Sequence, residues 1–254
     1  MLEYVESIFD GQLVKTIPIT TMEDFSQEGI AVSEDKGVLF LNTKAELHVV
    51  DIDSCELIKD LTSLFDQHVD QSVGVFQAFG SGNYLILISS QKVVIIDWVK
   101  ELYVTTIEKG VGTVSQKTYV GRSSVCLVEG GTINRYSFDG ALLESIPVDR
   151  TIDGIFHALD TFYVINGDGL YAYLPESGWV RNFYGDEVTR VFRLSVRGST
   201  VVIYTYDNRV SIVDFLSGQV VLEKKDLVSR GSSGSFGTHG LYVVTSERLV
   251  YVYS

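Results

Sequence analysis

Few side chains in this sequence combine a type and a spacing that could do chemistry. Arg190, Arg193 and Arg197 fall within one span of eight residues, and a guanidinium holds a carboxylate or phosphate through two parallel hydrogen bonds. Asp51, Asp97 and Asp214 each close a short apolar run. Recurring carboxylates can form a ring, but an aspartate at a strand end more often accepts N–H bonds from the turn that follows. The histidines His48, His68, His157 and His239 are isolated from one another, and His48 alternates with apolar neighbours, which reads as structural. Cys55 and Cys126 lie 71 positions apart, which supports neither a zinc ribbon nor a disulfide framework. No P-loop, Gly-x-Ser-x-Gly, His-Glu-x-x-His or calcium-loop pattern occurs. The expectation is a protein that is not an enzyme, with no cofactor and no metal.

The elements that carry these residues are set by composition and pattern. The 254 residues hold 33 acidic and 20 basic side chains, a net charge of −13, and 45% are apolar. That describes a folded, acidic chain able to bury a sizeable core. Nucleic acid is not an expected partner, because phosphate backbones are held by clustered lysine and arginine. The longest apolar runs, such as Tyr84 to Ile88, are about a quarter of the roughly 20 residues a membrane-spanning helix needs. The start Met1-Leu2-Glu3-Tyr4-Val5-Glu6 does not resemble a signal peptide. An intracellular, cytoplasmic or nuclear, protein is expected.

A repeat organises the whole chain. Pairs of β-rich segments joined by a short turn begin at positions 39, 84, 124, 162, 201 and 241, so the steps are 45, 40, 38, 39 and 40 residues. Each of the first five pairs is followed by a second turn, often Asp-Gly or Ser-Gly, and a further segment such as Leu142 to Val148 or Val220 to Lys224. Before most comes one more candidate strand, as in Val73 to Phe79, Ile152 to Ala158 and Val188 to Leu194. The unit is thus four antiparallel strands, A to D, with the period of a propeller blade. Residues 20 to 28 and Asp60 to Asp70 could each make a short helical turn. The glycine-rich stretch Gly231 to Gly237 occupies the A position of the last repeat.

The N-terminus repeats the third unit. Phe9 to Ile19 matches Phe138 to Val148 at six of eleven positions. Gln12 to Ile19 is therefore a D strand with no complete unit before it, and Leu249 to Ser254 is a C strand with no D strand after it. The two are expected to pair and close the ring. Leu2 to Ile8 would then hairpin onto Gln12 to Ile19 as a fifth outer strand, or be the remnant of a further blade.

The repeat resembles those of the WD40-like and quinoprotein-like β-propellers. The resemblance rests on the strand ends Val50-Asp51, Ile96-Asp97-Trp98 and Val213-Asp214-Phe215 and on the following turns, such as Asp214-Phe215-Leu216-Ser217-Gly218. It implies one all-β domain over residues 1–254: a six-bladed propeller of four-stranded antiparallel blades. Residues 1–19 are the closure strands, and the blades lie at about 30–61, 72–108, 111–148, 152–184, 188–225 and 228–254.

Two groups of candidate binding residues follow from this frame. Phe9, Trp98, Phe138, Trp179 and Phe215 lie at or beside C–D turns, hence on one rim. Exposed there they are anchors for a partner; wedged between neighbouring blades they are packing, the commoner fate of large aromatics. Arg190, Arg193 and Arg197 lie in or next to strand A of the fifth blade, in a C-terminal half where arginine replaces the lysine of the N-terminal half. Arg193 could reach the central channel, against the plainer reading of a salt-bridged face. Since the repeat fills the chain and catalytic patterns are missing, the expected function is a non-enzymatic scaffold presenting its rims to other proteins. The rival is a small-molecule enzyme or sensor using the central channel.

Overall fold

The computed structural model describes residues 2–6, 13–17, 30–42, 46–51, 54, 56–68, 77–109, 117–183, 191–205, 209–224, 233–237, 240–244 and 249–253. Every sheet is a sequential antiparallel meander. β1 (Leu2–Glu6) and β2 (Leu13–Ile17) pair as a hairpin, with Leu2 opposite Ile17 and Glu6 opposite Leu13. Four-stranded sheets follow: β3 (Ile30–Ser33), β4 (Val38–Asn42), β5 (Leu47–Asp51) and β6 (Leu57–Asp60), then β7 (Gln77–Ser81), β8 (Tyr84–Ile88), β9 (Lys92–Asp97) and β10 (Leu102–Glu108). The next is β11 (Thr118–Val120), β12 (Ser124–Glu129), β13 (Thr132–Ser137) and β14 (Leu142–Pro147). After it come β15 (Gly154–Ala158), β16 (Thr161–Asn166), β17 (Gly169–Leu174) and β18 (Gly178–Phe183), and β19 (Val191–Arg197), β20 (Thr200–Thr205), β21 (Val210–Asp214) and β22 (Gln219–Lys224). β23 (Ser233–Gly237), β24 (Gly240–Val244) and β25 (Leu249–Tyr253) make a three-stranded sheet.

All six expected B–C hairpins are present. One A strand begins later than the sequence pattern suggests, at Gly154 instead of Ile152, while residues 73–76 and 188–190, where two others are expected to start, lie outside the described residues. Ile152 is buried and Asp153 donates its N–H to Ile165 at 2.8 Å, so the apolar signal there belongs to an approach segment and not to the ladder. The glycine-rich stretch does supply an A strand, β23, and the helical turn expected in Asp60 to Asp70 is α1 (Thr62–His68), which buries Phe65. The other expected turn, residues 20 to 28, lies outside the described residues. The last repeat differs from the four-stranded expectation: β2 is paired with β1 and β25 with β24.

The chain forms two compact units. One comprises residues 1–115 with 122–124 and 136–144, the other residues 116–121, 125–135 and 145–254. Within the first, β3 lies beside β7; within the second, β11 lies beside β15, β15 beside β19 and β19 beside β23. Within each unit the first strands of successive sheets therefore adjoin. Burial follows strand position. In β8 every residue from Leu85 to Ile88 is 1% exposed or less, because a B strand is flanked on both edges by its own sheet and on both faces by core. The D strands are the exposed edges, with Leu57, Leu102, Leu142 and Val220 all more than 40% accessible.

An exposed edge invites pairing with another chain, and here it is interrupted at one repeated position. Two residues on β5 and β6 pair as Val50 with Leu57 and Val49 with Lys59, so Ile58 is inserted; β9 and β10 insert Val104, and β21 and β22 insert Val221. The three insertions share one phase relative to the aspartate that ends strand C. A bulge twists an edge away from regular pairing, which protects a monomer from edge-to-edge association.

Candidate functional site

The C–D turns are built by their aspartates. Asp51 Oδ1 accepts the Ser54 N–H at 2.7 Å, Asp97 Oδ1 the Lys100 N–H at 3.0 Å, and Asp214 Oδ1 the N–H groups of Leu216 at 2.9 Å and Ser217 at 3.0 Å. The recurring carboxylates thus cap turns. Gly218 closes one such turn at φ +71°, Gly140 another at φ +87°. In the second sheet Glu101 takes that left-handed place at φ +57°, a conformation that costs a side-chain-bearing residue about 1–2 kcal/mol. Lys59 Nζ holds it there, donating to Glu101 Oε1 at 2.6 Å and to the Val99 carbonyl at 2.8 Å.

The Asp214 carboxyl is held below its ordinary value of 3.8, first by the Ser217 N–H and then by the Leu216 N–H. Asp139 is lowered by the Ser137 hydroxyl and the Ala141 N–H, and Asp60 by Thr62, through its hydroxyl and N–H, and by His48. A carboxyl whose native pKa is depressed contributes stability that is present above its unfolded value and is lost as pH falls through the native one. Stability should therefore decline below about pH 3.8. Asp214→Asn, which keeps an acceptor oxygen, should make that decline shallower while leaving the neutral-pH midpoint nearly unchanged. Urea titrations from pH 2 to 7 read both.

The rim aromatics point inward. Trp98 is 7% exposed, donates its Nε1–H to the Gly82 carbonyl at 3.1 Å and meets Phe40 of the preceding sheet edge-on, with centroids 5.7 Å apart. Phe138 packs on Tyr84 at 5.1 Å. Phe215 is wholly buried against Phe156 at 5.3 Å and Tyr163 at 4.8 Å. Trp179 donates its Nε1–H to the Pro147 carbonyl at 3.0 Å and rests on Tyr173 at 5.1 Å. Each aromatic thus seals the joint with the sheet before it. Trp98, Phe138 and Phe215 are wedges, and as anchors for a partner they are corrected: apolar area already buried in the core is not available for binding. Phe9 and Arg190 lie outside the described residues. Arg193 and Arg197 take register positions in β19 opposite Tyr204 and Thr200.

Two sites escape a reading of the sequence. His48 sits between the carboxylates of Glu46 at 3.3 Å and Asp60 at 3.7 Å on the first sheet. The other is a cleft of about 200 Å³ between the fourth and fifth sheets, lined by Thr161, Tyr163, Ala172, Leu174, Val180, Phe215 and Leu216. Its lips, Leu174, Val180 and Leu216, are 43%, 39% and 57% exposed. Leu216 follows the Phe215 wedge as the exposed Val99 follows the Trp98 wedge. That aromatic-then-aliphatic pair after the strand-C aspartate was the available signal.

Four-stranded antiparallel meanders whose first strands adjoin and whose joints are sealed by turn aromatics decide the architecture. The fold is a β-propeller. Solved structures of β-propeller proteins match it over most of the chain. BamB from Moraxella catarrhalis shares 16% identity over 88% of this chain and 72% of that one, with a TM-score of 0.53. Hsv2 from Kluyveromyces lactis shares 16% identity over 89% of this chain and 75% of that one, with a TM-score of 0.56. These likenesses establish the fold alone. No protein-family model and no curated protein matches the sequence. Among the described residues, no helix is long and apolar enough to cross a membrane.

Proposed function

We propose that this propeller is a non-enzymatic interaction module that presents one rim to other proteins as a subunit of an intracellular complex. The observation that carries the reading is the division of labour in the repeat. The strand-C aspartates and the aromatics are committed to turns and joints, while the residue after the wedge, Val99 or Leu216, is held outward on a rigid frame. An apolar side chain fixed in solvent costs little entropy to bury on a partner. The D-strand bulges direct association away from the outer edges and toward the rim.

In the same reading the chain is a six-bladed ring in which β2 completes the last blade. Its support is the six-of-eleven match between Phe9 to Ile19 and Phe138 to Val148, the second of which contains the D strand β14. Affinity purification of the tagged full chain from its own cells at physiological salt should return protein partners in stoichiometric amount. Recovery of a clean monomer would count decisively against the module reading.

A further inference from the structure

The cleft beside Phe215 has a chemistry of its own. Its floor is formed by Tyr163 and Phe215, whose rings are tilted against each other, and its lips are Leu174 on β17, Val180 on β18 and Leu216 in the turn after β21. Beside it, the two-residue hairpin turn between β15 and β16 holds Leu159 at φ +50° and Asp160 at φ +55°. Such a turn favours asparagine and glycine. Here it carries a leucine that is 64% exposed, one residue from Asp160 and two from the lining residue Thr161. Three large aliphatic side chains thus stand partly in solvent at the opening, and Leu159 is exposed on the turn that leads into the lining residue Thr161.

The charges next in sequence to the lining residues of the cleft are of one sign. Asp160 precedes Thr161, Glu176 lies two residues beyond Leu174, and Asp214 precedes Phe215. Residues 159–180 and 210–222, which supply every lining side chain, contain no lysine, arginine or histidine. Of the cations that flank them, an Arg181 nitrogen donates to the Asp168 carbonyl, and Arg209 pairs with Glu223 at 3.8 Å. Asp214 stays ionised through its turn bonds, which also fix Leu216 beside the cleft.

We infer that this cleft, between the fourth and fifth blades, is a docking site for a basic peptide segment that inserts a large apolar side chain between Leu174, Val180 and Leu216 and sets lysine or arginine against Asp160 and Glu176. The inference rests on the interaction-module reading and specifies one of its sites. An acidic rim around an apolar floor selects against acidic and nucleic-acid ligands and favours a cationic, aromatic-bearing or leucine-bearing chain.

The test selects a randomised peptide library, displayed on phage, against the intact protein. Selection is repeated with Leu174→Ser/Leu216→Ser, with Asp160→Lys/Glu176→Lys, and with the remote control Leu57→Ser. Enriched peptides should combine a large apolar residue with flanking lysine or arginine. The best of them, measured by fluorescence anisotropy, should bind at least tenfold more weakly to both double variants and unchanged to the control. Its affinity should also fall as salt rises. Circular dichroism melts confirm that the variants fold, since all four altered side chains are solvent-exposed. Enrichment without basic residues, binding unaffected by the double variants, or no enrichment overturns the inference. Dimerisation of the chain through the cleft, seen as a sedimentation change lost in Leu174→Ser/Leu216→Ser, also overturns it. Stoichiometric cellular partners that remain bound to the double variants would sink the cleft while leaving the module reading standing. A chain without partners would sink that reading itself.

Discussion

Phe215→Ala should lower the stability of the protein by about 3–5 kcal/mol, the range for truncating a fully buried aromatic. The ring is 0% exposed and touches Phe156 and Tyr163, which themselves stack at 4.7 Å, so its removal opens a void where two blades meet. The surrounding β16 and β20 strands are pinned by their ladders and cannot collapse to fill it. Since a typical domain is stable by only about 5–15 kcal/mol, one residue in a turn would carry a large share of the total. The neighbouring Leu216→Ser changes a side chain that is 57% exposed and should fall within about 0.5 kcal/mol of wild type. Urea midpoints of the two variants separate a wedge from a surface anchor directly. Equal, small effects would mean that Phe215 is not the joint its packing makes it.

That contrast between adjacent residues marks where the sequence stops being informative. The hairpin period was legible because B strands must be apolar on both faces, and runs such as Tyr84 to Ile88 or Val201 to Tyr206 have no other economical reading. The aspartate turns were legible for a similar reason: a short carboxylate followed by a glycine or serine turn has local N–H groups to accept from. What Phe215 and Leu216 do was not legible, because an apolar residue in a turn has the same composition whether it faces a joint or the solvent. The fourth A strand is placed two residues early by the sequence, since the buried Ile152 gives an apolar signal before the ladder that begins at Gly154. On the D strands the inserted Ile58, Val104 and Val221 break the alternation that an inside–outside argument counts. The cleft could not be seen at all, since Tyr163 and Leu216 come together only when two blades pack.

Deleting residues 1–19 should abolish cooperative unfolding or drive the protein into aggregates. β25, Leu249-Val250-Tyr251-Val252-Tyr253, is an apolar C-type strand whose one partner among the described residues is β24. Val252 is inserted near the end of β25, but Leu249 to Tyr251 pair in regular register with Val244, Val243 and Tyr242, so the bare outer edge of that run would be a template for another chain. β2 is the D strand that the proposed ring places there, and β1 would then be the outermost strand, since it pairs with β2 in a hairpin. The two strands should consequently differ in effect. Removing residues 1–8 strips only the outer strand and should cost little, because β2 keeps its inner partner. In the proposed ring, removing residues 1–19 would uncover β25 itself and open the seam between last and first blades, which would take with it the cooperativity that joins them. Sedimentation velocity and a melting curve on the two truncations read the difference. A chain lacking residues 1–19 that stays monomeric with the parent melting temperature would show that the two ends do not meet; an equal loss in both truncations would place the contribution in the β1–β2 hairpin and not in the closure.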